Sequence, residues 1–216
     1  MSAPRHAAQR EALAAACRRL AAAGLTPGTT GNASVRVGDE LVISPTGSVL
    51  GELQAADAVV IDLDGRVLDG EGEPTSELAM HRALYALGDE VGAIVHTHAP
   101  YATALSCVVD EVPAIHYGML AVGGSVRVAP YALFGSRELA DGVEAALRGR
   151  RAALMSNHGA VAYAADPAAA AEVMVELEWA CTLYWRAAAL GAPRALDEAA
   201  LGAVADEMRR RGYPGA

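Results

Sequence analysis

Short apolar runs bounded by glycine, proline and other turn residues alternate along this chain with longer, alanine-rich segments of helical periodicity. The short runs are typical of strands in a sheet, and the longer segments are typical of helices that cover a sheet. Because each element has an apolar side to bury, this alternation favours an α/β fold with a central sheet between two helical layers. No linker, repeat or low-complexity block divides the 216 residues, so we expect one domain over 1–216, with a tail at 196–216.

The same patterns predict where the elements lie. The first helix is expected to end at Gly24, and Thr75 is the expected N-cap of a helix over 77–87. The other helices are expected at about 99–107, 136–147, 166–190 and 196–210. Strands are expected at 34–37, 41–44, 58–62, 66–68, 93–98, 113–116, 152–155 and 160–164.

The charge balance and the cysteines restrict the classes of partner. The chain has 17 basic and 26 acidic residues, a net charge of −9 and no basic stripe, so no nucleic-acid partner is expected. No apolar run approaches the roughly 20 residues of a membrane span, so no membrane association is expected. Cys17, Cys107 and Cys181 are odd in number and lack a paired spacing, which favours a reduced, cytoplasmic protein without a thiolate zinc cluster.

His96 and His98 are the strongest chemical signal, because they lie two residues apart at the end of a predicted strand. Side chains alternate across a strand, so both imidazoles point to one side and can share a metal ion. A catalytic zinc site takes about three protein ligands and leaves a position open. His158, in a tight Asn-His-Gly turn, is a candidate third ligand, and Glu77 at a helix start could reach the same centre.

Other interpretations of these residues stay open at this point. A strand histidine is often a hydrogen-bonded core residue and not a ligand. Glu77 and His81 lie four residues apart on a predicted helix, so they could form a metal pair of their own or only a contact on the helix surface.

Three small polar turns, at 29–32, 44–47 and 75–76, are the second signal. Hydroxyl groups, an amide and the free N–H groups at glycines form an anion cradle, and a helix start adds its positive dipole end. Each turn could equally be an ordinary turn or cap. Together they predict a site for a phosphate monoester that needs no lysine.

The chain contains no lysine, and all 17 of its basic residues are arginine. An aldolase that works without a metal uses a lysine to form a Schiff base with its carbonyl substrate. This sequence therefore excludes that mechanism.

Seven motifs occur in one order along the chain: TTGNASVR, ISPTG, PTSE, HTH, IHYGMLAVGG, APYALFGSRELA and NHGAVAY. In this order they resemble the class II aldolase/adducin family, and within it the bacterial L-fuculose-1-phosphate aldolases. The resemblance covers about residues 8–190. It implies a single-domain, three-layer α/β/α fold with a mixed, largely antiparallel central sheet.

The resemblance also implies a metal site. His96, His98 and His158 match zinc ligands, for one Zn²⁺ per subunit that Mn²⁺ or Co²⁺ could replace. Glu77 matches a carboxylate that is the fourth ligand at rest and the acid/base in turnover. Asn157 departs from the pattern, because many relatives have a histidine there, but this should not remove the metal.

The resemblance assigns further residues to the substrate. Phe134 matches an aromatic wall of the aldehyde pocket. Tyr117 matches a catalytic tyrosine that reaches into the neighbouring subunit's site, which implies a homotetramer with sites at its interfaces. Tyr213 stands in the tail where these aldolases carry another catalytic tyrosine. The phosphate-binding positions match Gly31, Asn32, Thr46, Gly47, Thr75 and Ser76, with Thr29 nearby.

The implied function is the reversible retro-aldol cleavage of a ketose 1-phosphate, with L-fuculose 1-phosphate giving dihydroxyacetone phosphate and L-lactaldehyde. Alternatives within the family are a methylthioribulose-1-phosphate dehydratase and a ribulose-5-phosphate 4-epimerase. Such epimerases typically carry aspartate where Glu77 stands, which favours cleavage. An alternative of another class is a non-catalytic scaffold like the head domain of adducin.

Overall fold

A computed structural model describes residues 4–213, and over these residues the chain forms one sheet of nine strands and six α-helices. The strands are β1 (Asn32–Val37), β2 (Glu40–Ile43), β3 (Val59–Asp62), β4 (Val67–Asp69), β5 (Ala93–Thr97), β6 (Glu111–Val112), β7 (Val126–Ala129), β8 (Ala152–Met155) and β9 (Gly159–Ala164). The helices are α1 (Ala7–Ala22), α2 (Leu78–Tyr85), α3 (Pro100–Ser106), α4 (Arg137–Leu147), α5 (Pro167–Leu190) and α6 (Glu198–Arg210).

The strand order is β4-β3-β2-β1-β5-β9-β8-β7-β6, and every neighbouring pair is antiparallel except β7 with β8. The expected mixed, largely antiparallel sheet is therefore confirmed. Its register brings distant segments together. Asn32 on β1 pairs with His96 on β5, and Thr97 pairs with Ala160 on β9.

Helices cover both faces of this sheet. On one face Leu13 and Leu20 of α1 and Leu177 of α5 pack against Val95 of β5 in a single buried cluster. On the other face Met80 and Leu84 of α2 and Leu139 of α4 pack against the neighbouring Ile94. Successive residues of β5 thus enter opposite cores, because strand side chains alternate. This is the predicted three-layer α/β/α arrangement.

One predicted strand is wrong. Residues 113–116 pair with no strand; β6 ends at Val112, and a 3₁₀ helix runs over Tyr117–Val122. Pro113 carries no N–H to continue a strand ladder. The ring Nδ1 of His116 accepts a hydrogen bond from the N–H of Gly118 at 2.9 Å, which caps the 3₁₀ helix.

The expected cap of α2 is also different. Glu77, and not Thr75, is the N-cap residue, and it makes no side-chain capping bond. The Thr75 hydroxyl accepts a hydrogen bond from the N–H of Glu77 at 3.3 Å, so it orders the turn before the helix. Gly24, with φ of 77°, follows α1 as predicted. Within residues 4–213, no helix has both the length and the apolar character needed to traverse a bilayer.

Candidate functional site

The structure brings His96, His98 and His158 together. Their ring centroids lie 4.9 to 5.0 Å apart, and one nitrogen from each ring falls within 4.8 Å of the others. His96 lies on β5 and is fully buried, and His98 directly follows Thr97, the last residue of that strand. His158 lies in the turn between β8 and β9, and the pairing of β9 with β5 carries this turn to His98.

The hydrogen bonds of His96 prepare its ring for a cation. The Nδ1 atom donates to the carbonyl of Ala160 at 2.9 Å, since a carbonyl oxygen can only accept. In the neutral ring the Nε2 lone pair therefore faces Nε2 of His98 at 3.2 Å and Oε2 of Glu77 at 3.1 Å. Burial opposes protonation of His96, but the charge of Glu77 and the hydrogen bonds raise its pKa. The close approach of Glu77 Oε2 to His96 Nε2 thus favours a positive charge between the two atoms, either a proton or a metal ion.

The surroundings of His98 and His158 favour the neutral imidazole, which is the form that binds metals. Burial lowers the pKa of His98 to about 4, and the charges of His96 and His158 act in the same direction. Burial and the charge of His96 also lower the pKa of His158.

Glu77 completes the donor set at the start of α2. Burial raises the pKa of this carboxyl, but His96, His158 and a hydrogen bond from Asn32 together hold it well below its usual range. Its Oε1 lies 3.5 Å from Nε2 of His158 and, within the described residues, has no hydrogen-bond partner. Three imidazole nitrogens and an ionised carboxylate fit a divalent ion of the zinc type.

A cavity of about 640 Å³ opens beside these groups. Glu77, His98 and His158 line it on the metal side, and Phe134, Tyr131 and Ala132 form an apolar part. All the residues expected to bind phosphate line the same cavity: Thr29, Gly31, Asn32, Thr46, Gly47, Thr75 and Ser76.

Two predicted residues lie elsewhere. Tyr117 and Tyr213 both line a different cavity, of about 410 Å³, together with residues of α6. Both are more than half exposed. Within one chain, neither tyrosine belongs to the lining of the cavity that holds Glu77.

His81 is a site residue whose surroundings the sequence did not reveal. The spacing from Glu77 suggested a metal pair or a surface contact, and the structure has neither. The ring is fully buried and bonds to Asn32 and Ser34, and burial lowers its pKa to about 4. The only sequence signal was the four-residue spacing, which places His81 about one helical turn after the N-cap Glu77.

The fold and the site define a class: an α/β domain whose cavity joins three small polar turns to a cluster of histidines and a carboxylate that could hold a metal ion. The sequence pattern described as the class II aldolase and adducin N-terminal domain matches residues 11–185. The chain belongs to this family.

Individual relatives agree with this assignment. A 5-methylthioribulose-1-phosphate/5-deoxyribulose-1-phosphate aldolase of Rhodospirillum rubrum is 40% identical over 204 residues, which cover 94% of this chain and 89% of the relative. A 5-deoxy-D-ribulose 1-phosphate aldolase of Bacillus thuringiensis serovar kurstaki is 38% identical over 192 residues, 88% of this chain and 90% of the relative.

A solved structure of an L-fuculose 1-phosphate aldolase superposes with a TM-score of 0.90 at 35% identity, covering 95% of this chain and 98% of the other. On these relationships the chain is an enzyme, a class II aldolase of the carbon–carbon lyase type.

Proposed function

We propose that this enzyme uses zinc to cleave a ketose 1-phosphate reversibly into dihydroxyacetone phosphate and a short aldehyde. The observation that carries the proposal is the single cavity in which an anion cradle, a metal donor set and an apolar wall meet. We further propose that the aldehyde ends in a methyl or methylthio group. The lead substrates are thus 5-deoxyribulose 1-phosphate and 5-methylthioribulose 1-phosphate, with L-fuculose 1-phosphate as the second candidate.

The phosphate would bind in the polar turns. Hydroxyls and backbone N–H groups surround one end of the cavity, and they come from Thr29, Gly31, Thr46, Gly47 and Ser76. Ser76 directly precedes Glu77, the N-cap of α2, where the positive end of the helix dipole favours an anion. Lysine is absent from the whole chain and no arginine is among the described residues that line this cavity, so within one subunit the neutral donors would carry the binding.

The metal would be held by His96, His98 and His158, with Glu77 as a fourth ligand before substrate binds. When bound, a zinc-type ion supplies Lewis-acid stabilisation of the negative charge that develops on C2 and C3 of the substrate. Mn²⁺ or Co²⁺ would suit the same donors less specifically.

Glu77 would move the proton at C3. In the condensation direction its ionised carboxylate takes a proton from C3 of dihydroxyacetone phosphate, and C3 then attacks the aldehyde carbon to form the C3–C4 bond. The new C4 oxygen takes up a proton. In cleavage, the C4 hydroxyl loses its proton, the C3–C4 bond breaks with its electron pair left on the C2–C3 enediolate, and Glu77 returns a proton to C3.

Phe134, Tyr131 and Ala132 would hold the far end of the substrate. The ring of Phe134 and the methyl group of Ala132 gain from burying a methyl or thioether group but give a hydroxyl no hydrogen bond. This contact favours ketoses that are deoxygenated or thiolated at their last carbon. All three candidate substrates end in such a group.

Tyr117 would exchange the proton on the C4 oxygen from a neighbouring subunit. We propose a homotetramer for this reason, because Tyr117 is 54% exposed and lies away from the cavity of its own chain. Tyr213 borders Tyr117 in the same second cavity and would enter the neighbouring site with it.

The experiment is a panel of the three ketose phosphates, with dihydroxyacetone phosphate detected by a coupled NADH assay. We expect triose phosphate from at least one, with the highest kcat/KM for the two pentulose phosphates. Loss of water from methylthioribulose 1-phosphate without triose phosphate would replace the proposal by a dehydratase. A protein that holds no metal after metal-replete growth and turns over none of the three would fit the scaffold alternative.

A further inference from the structure

A continuous row of hydrogen bonds runs from Glu77 into the interior. Asn32 Nδ2 contacts Glu77 Oε2 at 2.9 Å, and Asn32 Oδ1 contacts His81 Nε2 at 2.6 Å. Ser34 Oγ contacts His81 Nδ1 and the Tyr85 hydroxyl, both at 2.7 Å. All five residues are buried, and they come from two elements, β1 and α2, together with the α2 N-cap.

The chemistry of the groups fixes the direction of every bond. A carboxylate only accepts, so the Asn32 amide turns its Nδ2 to Glu77 and its Oδ1 to His81. The Nε2 of His81 must then carry the hydrogen. The ring is fully removed from solvent, so it is neutral and its Nδ1 accepts.

The remaining two bonds follow from this tautomer. Ser34 donates its hydroxyl hydrogen to Nδ1 of His81 and accepts the hydroxyl hydrogen of Tyr85. The row therefore runs one way, with each group donating towards Glu77. A reversal at any member would leave two acceptors face to face, which is costly in a buried site.

We propose that His81, Ser34 and Tyr85 are positioning residues that fix the Glu77 carboxylate through Asn32 for its proton transfer at C3. The row holds Oε2, while Oε1 has no hydrogen-bond partner among the described residues and faces His158. This inference rests on the proposed function, in which Glu77 is the acid/base. Asn32 has a second Nδ2 hydrogen for the substrate, since it also lines the cavity.

The row predicts a graded series of variants. His81→Leu removes both ring contacts and should lower kcat by about 10- to 100-fold, the usual effect of losing a partner that orients a ligand. His81→Gln retains a donor and an acceptor and should recover a large part of this loss. Ser34→Ala should fall between the wild type and His81→Leu, and Tyr85→Phe, at the far end, should show the smallest loss.

Three readouts distinguish positioning from folding or metal loss. The zinc dissociation constant, by chelator competition, and the KM should change by less than about threefold in His81→Leu and His81→Gln, because the three histidine ligands and the phosphate turns are intact. The rate of exchange of the C3 hydrogen of dihydroxyacetone phosphate in D2O reports the Glu77 step without any aldehyde. It should fall in parallel with kcat.

Tyr163→Phe is the matched control for Tyr85→Phe. Tyr163 is a buried tyrosine on β9 outside the row, so its replacement should leave all values unchanged.

A measurement independent of activity is ¹⁵N NMR of the zinc-loaded, histidine-labelled protein, with His81 assigned by comparison with His81→Gln. We expect a neutral ring with its hydrogen on Nε2. The Nδ1–H tautomer, or an imidazolium, would overturn the proposal, as would a kcat of His81→Leu within twofold of the wild type or no recovery in His81→Gln. If the wild type shows the Nε2–H tautomer but neither exchanges nor cleaves, the proposed function fails, and with it the role of the row in proton transfer.

Discussion

Gly159 shows how one residue permits the close approach of the three histidines. A Cβ at this position would lie 2.4 Å from the carbonyl oxygen of Thr97 and 2.9 Å from Cδ2 of His98. Real Cβ atoms do not approach so closely, so the strand pairing and the ring positions both depend on glycine. The Asn-His-Gly turn therefore serves the site through its glycine as much as through its histidine.

Gly159→Ala is predicted to weaken zinc binding by about 10-fold or more, because His98 or β9 must shift to admit the methyl group. The measurement is the zinc dissociation constant by chelator competition. Gly202→Ala is the matched control, since a Cβ there meets nothing within 4 Å. Equal zinc affinity in both variants would contradict the close-packing argument.

Glu77→Gln is predicted to retain zinc, with affinity within about 10-fold of the wild type, and to lower kcat by at least about 100-fold. The three histidines still bind the ion, but an amide cannot carry the proton. Steady-state kinetics and metal analysis check the two halves separately. Glu138→Gln, an exposed change on α4, should leave both unchanged. Full activity in Glu77→Gln would remove its acid/base role.

Helix α3 illustrates how one element holds another near the site. It begins at Pro100, two residues after His98, and its N-cap Ala99 supplies no side-chain bond. The Glu178 carboxylate on α5 instead accepts hydrogen bonds from the backbone N–H groups of Tyr101 and Ala102, at 2.8 and 2.9 Å. A carboxylate at the start of a helix also interacts favourably with the positive end of the helix dipole. The cap of α3 thus comes from a residue 76 or more positions away along the chain.

Glu178→Ala is predicted to lower the free energy of unfolding by about 1–3 kcal/mol, since two partly buried N–H groups lose a charged acceptor. Urea denaturation at neutral pH measures the change. Glu176→Ala on the same helix is the control, because Glu176 forms no side-chain hydrogen bond within residues 4–213. An equal effect of the two changes would show that Glu178 acts only through helix propensity or surface charge.

In our proposal, Tyr117 acts only in the assembled oligomer, in the site of a neighbouring subunit. Its side chain is stacked on His116, with ring centroids 4.4 Å apart, and it faces the cavity shared with α6. Glu77 and this tyrosine line separate cavities of one chain. A complete site would consequently need two copies, related by the symmetry of a closed ring.

Complementation tests this prediction. Tyr117→Phe and Glu77→Gln should each be nearly inactive alone, yet oligomers co-expressed from both should recover activity. Random pairing in a ring gives about one quarter of the sites an intact Glu77 and an intact Tyr117 from the neighbour. The kcat per subunit of purified mixed oligomers is the measurement. No recovery in mixed oligomers would place Tyr117 outside the neighbouring site.

The amino-acid sequence by itself determined the helices, seven of the nine strands, the layering and the candidate metal donors; β6 was expected at 113–116, and β7 was not predicted as a separate strand. These follow from local periodicity, turn residues and ligand chemistry, which a chain carries in its own order. The tertiary structure decided what depends on register between distant strands. The pairing of Asn32 with His96 and of β9 with β5 gathers the candidate donors, and the packing of α2 on the sheet places His81 in contact with Asn32, which bonds to Glu77. Long-range pairing and side-chain packing fix such contacts, and neither is encoded in any one segment.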